Sequence, residues 1–190
     1  PTWSGCPGNM SMSTSSNSCD AVAVWSAPSA TDNCSIGTLN STHSPGATFL
    51  TGTTTVTYTA EDATGNSATC AFTVTVIDSV APNAVCQSLT LALDSLGNAN
   101  LAASDVDNGS TDNCAIDSIS VSQTSFTCSN AGPNTVVLTV TDMAGNSSTC
   151  SATINVMSTS VSGALSADTT ACGYNVSCPG ASDGTAHVVG

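Results

Sequence analysis

GTTTVTYTAEDATGNSATCAFTVTV, residues 52–76, is the stretch whose reading decides the fold. Val56 and Tyr58 alternate with threonines, Phe72, Val74 and Val76 do the same, and DATGN at 62–66 supplies turn chemistry between the two runs. Alternation of this kind predicts a β-hairpin with one buried face. Eighty positions later NTVVLTVTDMAGNSSTCSATINV, residues 134–156, places Asp142, Gly145, Asn146, Thr149 and Cys150 where Asp62, Gly65, Asn66, Thr69 and Cys70 stand. The chain is therefore a tandem repeat, each unit closed by one such hairpin.

Working outward, the rest of each unit reads as short strands between turns. In the first, residues 21–25 (AVAVW) form a strand, 29–34 (SATDNC) a turn in which Asp32 and Asn33 bond the backbone locally, and 36–42 another strand. IDSVAP at 77–82 marks the junction. The second unit has QSLTLAL from Gln87, a turn at 94–98, a short strand to Ala103, the acidic loop SDVDNGSTDNC at 104–114, and strands near 116–121 and 126–128. No window of useful length has a helical period. Seven or so short strands per unit, with turn signals every 8–12 residues, predict an all-β chain of tandem immunoglobulin-like antiparallel sandwiches. The expected domains are 1–78, 79–158 and a partial third β domain at 159–190.

The composition bounds what such a chain does. It has 190 residues, no lysine or arginine, and 13 acidic residues, for a formal charge of −13. Nothing here neutralises a phosphate, so nucleic acid and anionic membrane are poor partners and divalent cations good ones. No apolar run reaches the ~20 residues of a membrane span. The opening PTWSGCPGNM is no signal peptide, and an extracellular composition without one is expected of a segment of a longer polypeptide.

Ten cysteines in small β units point to an oxidising, extracellular setting, since small units bury little surface and need a staple. No CxxC pair occurs and the only histidines are His43 and His187, which weakens a zinc reading. At the offset of 80, Cys6 aligns with Cys86, Cys34 with Cys114 and Cys70 with Cys150. Pairing Cys6 with Cys70 and Cys86 with Cys150 ties each unit from first strand to last, and leaves Cys19 for Cys34 and Cys114 for Cys128. Four cysteines allow three connectivities per unit, so this is a preference taken from the repeat. Cys172 and Cys178 form a small loop or pair outside the segment.

Residues 1–78, through CP at Cys6, AVAVWSAPSATDNC, HSPGATF and the 52–76 hairpin, closely resemble a hyalin repeat, or HYR domain. The resemblance implies the Cys6–Cys70 pairing, since two-cysteine members carry them at these positions. Residues 79–158, through ASDVDNGSTDNC, SQTSFTCSNAGPNTVVLTVTD and GNSSTC, resemble the related immunoglobulin-like repeat of large bacterial surface proteins. VSCPGASDGTA from Val176 resembles the start of the SprB-type repeat of gliding-motility adhesins. Together these resemblances imply a very long surface protein of bacteria that use type IX secretion, working as adhesin, stalk or filament. The expected partners are neighbouring repeats, identical subunits in a filament, or surface glycans. The Asp-Ser/Thr-apolar triplets at Ser79, Ser95, Ser118 and Thr169 resemble O-glycosylation acceptors of the same bacterial group.

For chemistry, DVDNGSTD at 105–112 has the acid spacing and central glycine of a calcium-binding turn. Asp105, Asp107, Asn108 and Asp112 fall short of the ~6–8 oxygens that calcium takes, so Asp142, backbone carbonyls or water would complete the set. The plainer reading is a solvated loop whose Asp and Asn set turns. Asp78, at the junction, joins a cation site or lies in a plain linker. Asp32 and Asp62 read as turn-formers. No residue triplet singles out a nucleophile, and Glu61 beside Asp62 faces the other way along a strand, so catalysis is not expected. Trp3, Trp25 and Tyr58 offer a sugar-binding platform or, for Trp25, a core position. A structural repeat stiffened by disulfides and calcium is the leading reading, and a calcium-dependent carbohydrate-binding adhesin module the alternative.

Overall fold

A computed structural model of the chain describes residues 1–157. They form two compact units. The first comprises Pro1–Ala81 with Asp112–Ala115 and Met143–Asn146, and the second comprises, among the described residues, Pro82–Thr111, Ile116–Asp142 and Ser147–Met157. Strands dominate both, as expected of an all-β, immunoglobulin-like fold with disulfides.

In the first unit the predicted hairpin is β7 (Gly52–Asp62) and β8 (Ser67–Ile77). Val56 lies opposite Phe72, Tyr58 opposite Cys70 and Thr54 opposite Val74. Val56, Tyr58 and Ala60 on one strand and Cys70, Phe72, Val74 and Val76 on the other are buried, while the threonines between them face outward or remain half-exposed. Buried apolar area of this kind stabilises at about 25 cal/mol per Å², which is why one strictly alternating stretch governs the unit. Around the hairpin, β2 (Met10–Ser13) joins the edge of β8, and β5 (Ile36–Ser41) joins β7, giving the order β2-β8-β7-β5. Two small antiparallel pairs complete the unit: β1 (Thr2–Ser4) with β4 (Ser29–Thr31), and β3 (Asp20–Val22) with β6 (Thr48–Leu50). Phe49 from β6 and Ala23 close the core over the hairpin, with Trp3, Met10, Met12, Ala21, Trp25 and Ala47 packed against them.

The second unit repeats the plan. β13 (Gly132–Asp142) and β14 (Ser147–Met157) form its hairpin, in a sheet ordered β11-β13-β14-β9 with β11 (Ile116–Val121) and β9 (Leu89–Ala92). β10 (Asn98–Asn100) pairs with β12 (Ser125–Thr127). Leu93, Leu101, Val106, Phe126, Val136, Leu138, Val140 and Ile154 are its core. Leu138, at the repeat position of Tyr58, is fully buried.

Four features depart from the sequence reading. An early strand of each unit runs parallel to the last, β2 with β8 and β9 with β14, so the four-stranded sheets are mixed rather than purely antiparallel. A long crossover through the rest of the unit separates these strands in sequence, as parallel neighbours require. Residues 21–25 are not all strand. The strand ends at Val22, beyond which Ala23 bonds Ala47 and Gly46 in the connection before β6, and Val24 is exposed. The strand expected near 126–128 ends at Thr127 and gives way to a 3₁₀ turn, Cys128–Asn130. A one-turn α-helix, Ala103–Val106, occupies the start of the acidic loop. Its capping contact is Asp105 Oδ2 accepting from the Ala102 N–H at 3.0 Å. Four residues carry no readable period.

The disulfides divide likewise. Cys6–Cys70 and Cys86–Cys150 form as expected, each spanning 64 residues. The short pairs Cys19–Cys34 and Cys114–Cys128 do not, because Cys19 bonds Cys114, their Cα atoms 4.5 Å apart across 95 residues. The loop Asp112–Ala115 belongs to the first compact unit, so Cys114 meets Cys19 rather than a residue of its own repeat. Cys34 is left as an exposed free thiol. Cys172, Cys178, Thr169 and the expected third domain lie outside the described residues.

Candidate functional site

The hairpin turns show how this chain uses acidic residues locally. Asp62 Oδ1 accepts from the backbone N–H groups of Thr64 and Asn66 at 2.8 and 2.9 Å and from the Thr64 hydroxyl at 2.8 Å. Its Oδ2 accepts from Asn66 Nδ2 at 2.7 Å. These donors, the Asn66 and Thr64 side chains foremost, hold the Asp62 carboxyl well below the usual carboxylate range. Asp32 accepts from the Cys34 N–H at 3.0 Å, another turn of the same kind. Gly65 and Gly145 occupy the left-handed region, each with φ of 90°, where a turn residue with a side chain is strained.

The predicted calcium loop divides in two. Asp105 is exposed and its carboxylate caps the short helix. Asp107 Oδ1 accepts from the Ser110 hydroxyl and, at 3.1 Å, from the Ser110 N–H, and these bonds pull its carboxyl below the usual range. Asn108 is exposed, its N–H bonded to the Val85 carbonyl at 2.9 Å. Asp142, the repeat counterpart of Asp62, is 2% exposed and pairs in register with Ile116.

Asp112 behaves differently. With Asn113 and Cys114 it belongs to the first compact unit, and there it meets Asp78. Asp78, Asp112 and Cys114 offer ligand-type atoms all within 4.8 Å of one another. The Cys114 sulfur is committed to its disulfide, which leaves two carboxylates. Asp78 Oδ1 accepts from Thr14 Oγ1 and from the Val80 N–H, both at 3.1 Å. Asp112 Oδ2 accepts from the Cys114 N–H at 2.8 Å. Asn113 Nδ2 lies 3.2 Å from Thr14 Oγ1, 3.3 Å from the carbonyls of Ser15 and Ser18, and 3.4 Å from Asp78 Oδ1. The sequence named Asp78 and Asp112 but not Asn113. The paired DNC triplets at 32–34 and 112–114 were the available signal.

The aromatics serve the core. Trp25 Nε1 donates to the Tyr58 hydroxyl at 2.8 Å, and its ring packs on Phe72 and Phe49 at centroid distances of 5.3 and 6.1 Å. Trp3 Nε1 donates to the Ala68 carbonyl at 3.1 Å, and its ring meets Tyr58 edge-on. Trp3 and Tyr58 line a shallow depression of about 230 Å³ with Pro28 and Leu39. His43 stacks against Phe49 and its Nδ1 contacts the Thr42 hydroxyl. Ser79, Ser95 and Ser118 are exposed.

Comparison with known proteins follows the same division. Hyalin of Lytechinus variegatus is 50% identical over 52 residues, which is 27% of this chain and 10% of Hyalin. Among solved structures, extracellular cadherin domains 1–4 of protocadherin gamma B7 superpose with a TM-score of 0.35 at 13% identity, over 80% of this chain and 49% of that one. Titin domains I67–I69 give 0.30 at 10% identity, over 83% and 65%. An endo-fucoidan hydrolase of glycoside hydrolase family 107 gives 0.28 at 19% identity, over 75% and 24%. The family match is local: residues 1–76, which hold the Cys6–Cys70 bond and the hairpin that closes them, match the HYR domain family.

Proposed function

We propose that this chain is a structural segment of a large secreted multi-repeat cell-surface protein of adhesion type, serving as a stalk or filament subunit stiffened by disulfides and calcium. The observation that carries the reading is the repeated staple. In both repeats a disulfide spanning 64 residues joins a cysteine near the start of the repeat to the last strand of its hairpin. Units closed in this way are suited to serial use in an oxidising, extracellular medium. The HYR match over residues 1–76 agrees with an extracellular adhesion-type repeat. The resemblance of residues 79–158 to bacterial surface repeats supports a bacterial surface and type IX export, with neighbouring repeats or identical subunits as partners. Exposed Ser79, Ser95 and Ser118 fit the proposed glycan acceptors, and an intact mass equal to that of the bare chain removes that part of the reading.

A carbohydrate-binding module is the less favoured reading, because Trp3 and Trp25 commit their N–H groups to bonds within the unit and the Trp25 ring packs on Phe72 and Phe49. Negative-stain images of the purified chain, with calcium and with chelator, test the proposal. Extended strings or end-to-end filaments are expected in calcium. Compact globular particles under both conditions overturn it.

A further inference from the structure

Three side-chain oxygens in the first compact unit are buried and lack a hydrogen-bond partner: Asp78 Oδ2, Asp112 Oδ1 and Asn113 Oδ1. Buried polar atoms in native proteins almost always find partners, so three together call for a missing one. Each belongs to a group whose other polar atom is fixed by the protein, as described for Asp78 Oδ1, Asp112 Oδ2 and Asn113 Nδ2. The Asn113 amide cannot be reversed to satisfy itself, since the Ser15 and Ser18 carbonyls facing its nitrogen only accept. Asp78 is 8% exposed, and its carboxylate lies within 4.8 Å of that of Asp112. Two facing carboxylates with little solvent repel, and the chain contains no lysine or arginine to separate them.

The geometry points to a divalent cation site in which Asp78 Oδ2, Asp112 Oδ1 and Asn113 Oδ1 are ligands and Asp105 and Asp107 are not. The inference rests on the reading of the chain as a calcium-stiffened repeat and names the residues that hold the ion. All three ligands are hard oxygens, two of them anionic, which suits calcium, whose remaining positions backbone carbonyls or water fill. Asp105 and Asp107 are excluded because they belong to the second compact unit and neither has a buried oxygen without a partner. The ion neutralises the facing pair and draws together the junction residue Asp78 and the loop that carries the Cys19–Cys114 bond.

The test uses the full chain stripped with chelator, titrated with calcium chloride by calorimetry and melted with and without calcium, following tryptophan fluorescence. The wild type is expected to bind calcium and to melt higher with it. Asp112→Asn and Asn113→Ala are expected to weaken binding by at least about tenfold, as loss of a direct ligand should exceed the effect of an outer-shell change. Asp105→Asn with Asp107→Asn leaves affinity within about twofold of wild type, because neither is a ligand. In the metal-free form D112N melts above wild type, since it removes one of two facing charges, and in calcium the order reverses. That crossover separates a cation site from a structural hydrogen bond. No heat and no melting shift in the wild type overturn both this site and the calcium part of the proposed function. Calcium binding lost in the Asp105/Asp107 variant but kept in D112N overturns this site alone. A metal-free form that is stabilised by acid and indifferent to calcium shows a shared proton in place of the ion, and also overturns it.

Discussion

Replacing Cys19 and Cys114 together by serine tests the connectivity that departs most from the sequence repeat. Its cost follows from the length of chain the bond closes. The two cysteines are 95 residues apart, but the Cys6–Cys70 bond shortens the path. From Cys19 back to Cys6, across the bridge, and from Cys70 on to Cys114 is about 57 residues, which the chain-entropy relation converts to about 4 kcal/mol. Both tryptophans, Trp3 and Trp25, lie in the first compact unit, so their fluorescence reports its unfolding without interference from the second. With a slope near ~2 kcal/mol per molar guanidinium for a unit this small, the midpoint should fall by about 2 M. A fall below about 0.5 M, or about 1 kcal/mol on the same slope, refutes the reasoning. A companion digest decides the pairing itself. The chain has no trypsin site, but cleavage before aspartate under non-reducing conditions should leave residues 1–19 joined to both 62–77 and 112–116. A link from 1–19 to 32–61 would show the Cys19–Cys34 pair instead.

Further outcomes follow from individual residues. Cys34 is expected to take up a maleimide in the native, unreduced protein, and mass mapping that finds it blocked contradicts its exposed thiol. Leu138→Ala, at a fully buried site in the second core, should cost about 2–5 kcal/mol by circular dichroism while leaving the tryptophan-detected transition in place. Gly65→Ala should cost about 1–2 kcal/mol despite open space around it, since the penalty is conformational. Because the Asp62 carboxyl is held below its ordinary value of 3.8, its contribution is present above that pH and is lost as pH falls through the lower, folded value. Asp62→Asn should therefore flatten the acid limb of the stability curve, and an unchanged limb would remove Asp62 as a cause.

The hairpins were legible because both their faces obey one rule: Val56, Tyr58, Phe72 and Val74 alternate with threonine, and period two has one structural meaning. The long disulfides were legible for a related reason, since each repeats at the same offset within a closed unit. Cys19–Cys114 was not, because an offset alignment treats every repeat as self-contained, whereas the fold assigns the loop around Cys114 to the first unit. The acidic stretch misled in a similar way. Spacing revealed four oxygen-bearing residues, Asp105, Asp107, Asn108 and Asp112, but not that Asp112 belongs to the first compact unit and keeps a buried oxygen without a partner while Asp105 and Asp107 belong to the second. Asn113 escaped notice because an amide beside a carboxylate looks like turn chemistry until its surroundings are known.

The Cys6–Cys70 bond has a mechanical consequence. A chain pulled from its two ends transmits force across the sulfur bridge, so the 64-residue span it closes cannot be drawn out while the bridge is intact. At about 3.5 Å per residue that withholds some 220 Å of contour length in the first repeat, and Cys86–Cys150 withholds a similar length in the second. Such a chain under load lengthens little until a reductant reaches the sulfurs, whereupon each repeat can pay out a discrete step, making its extensibility a function of the redox state of its surroundings.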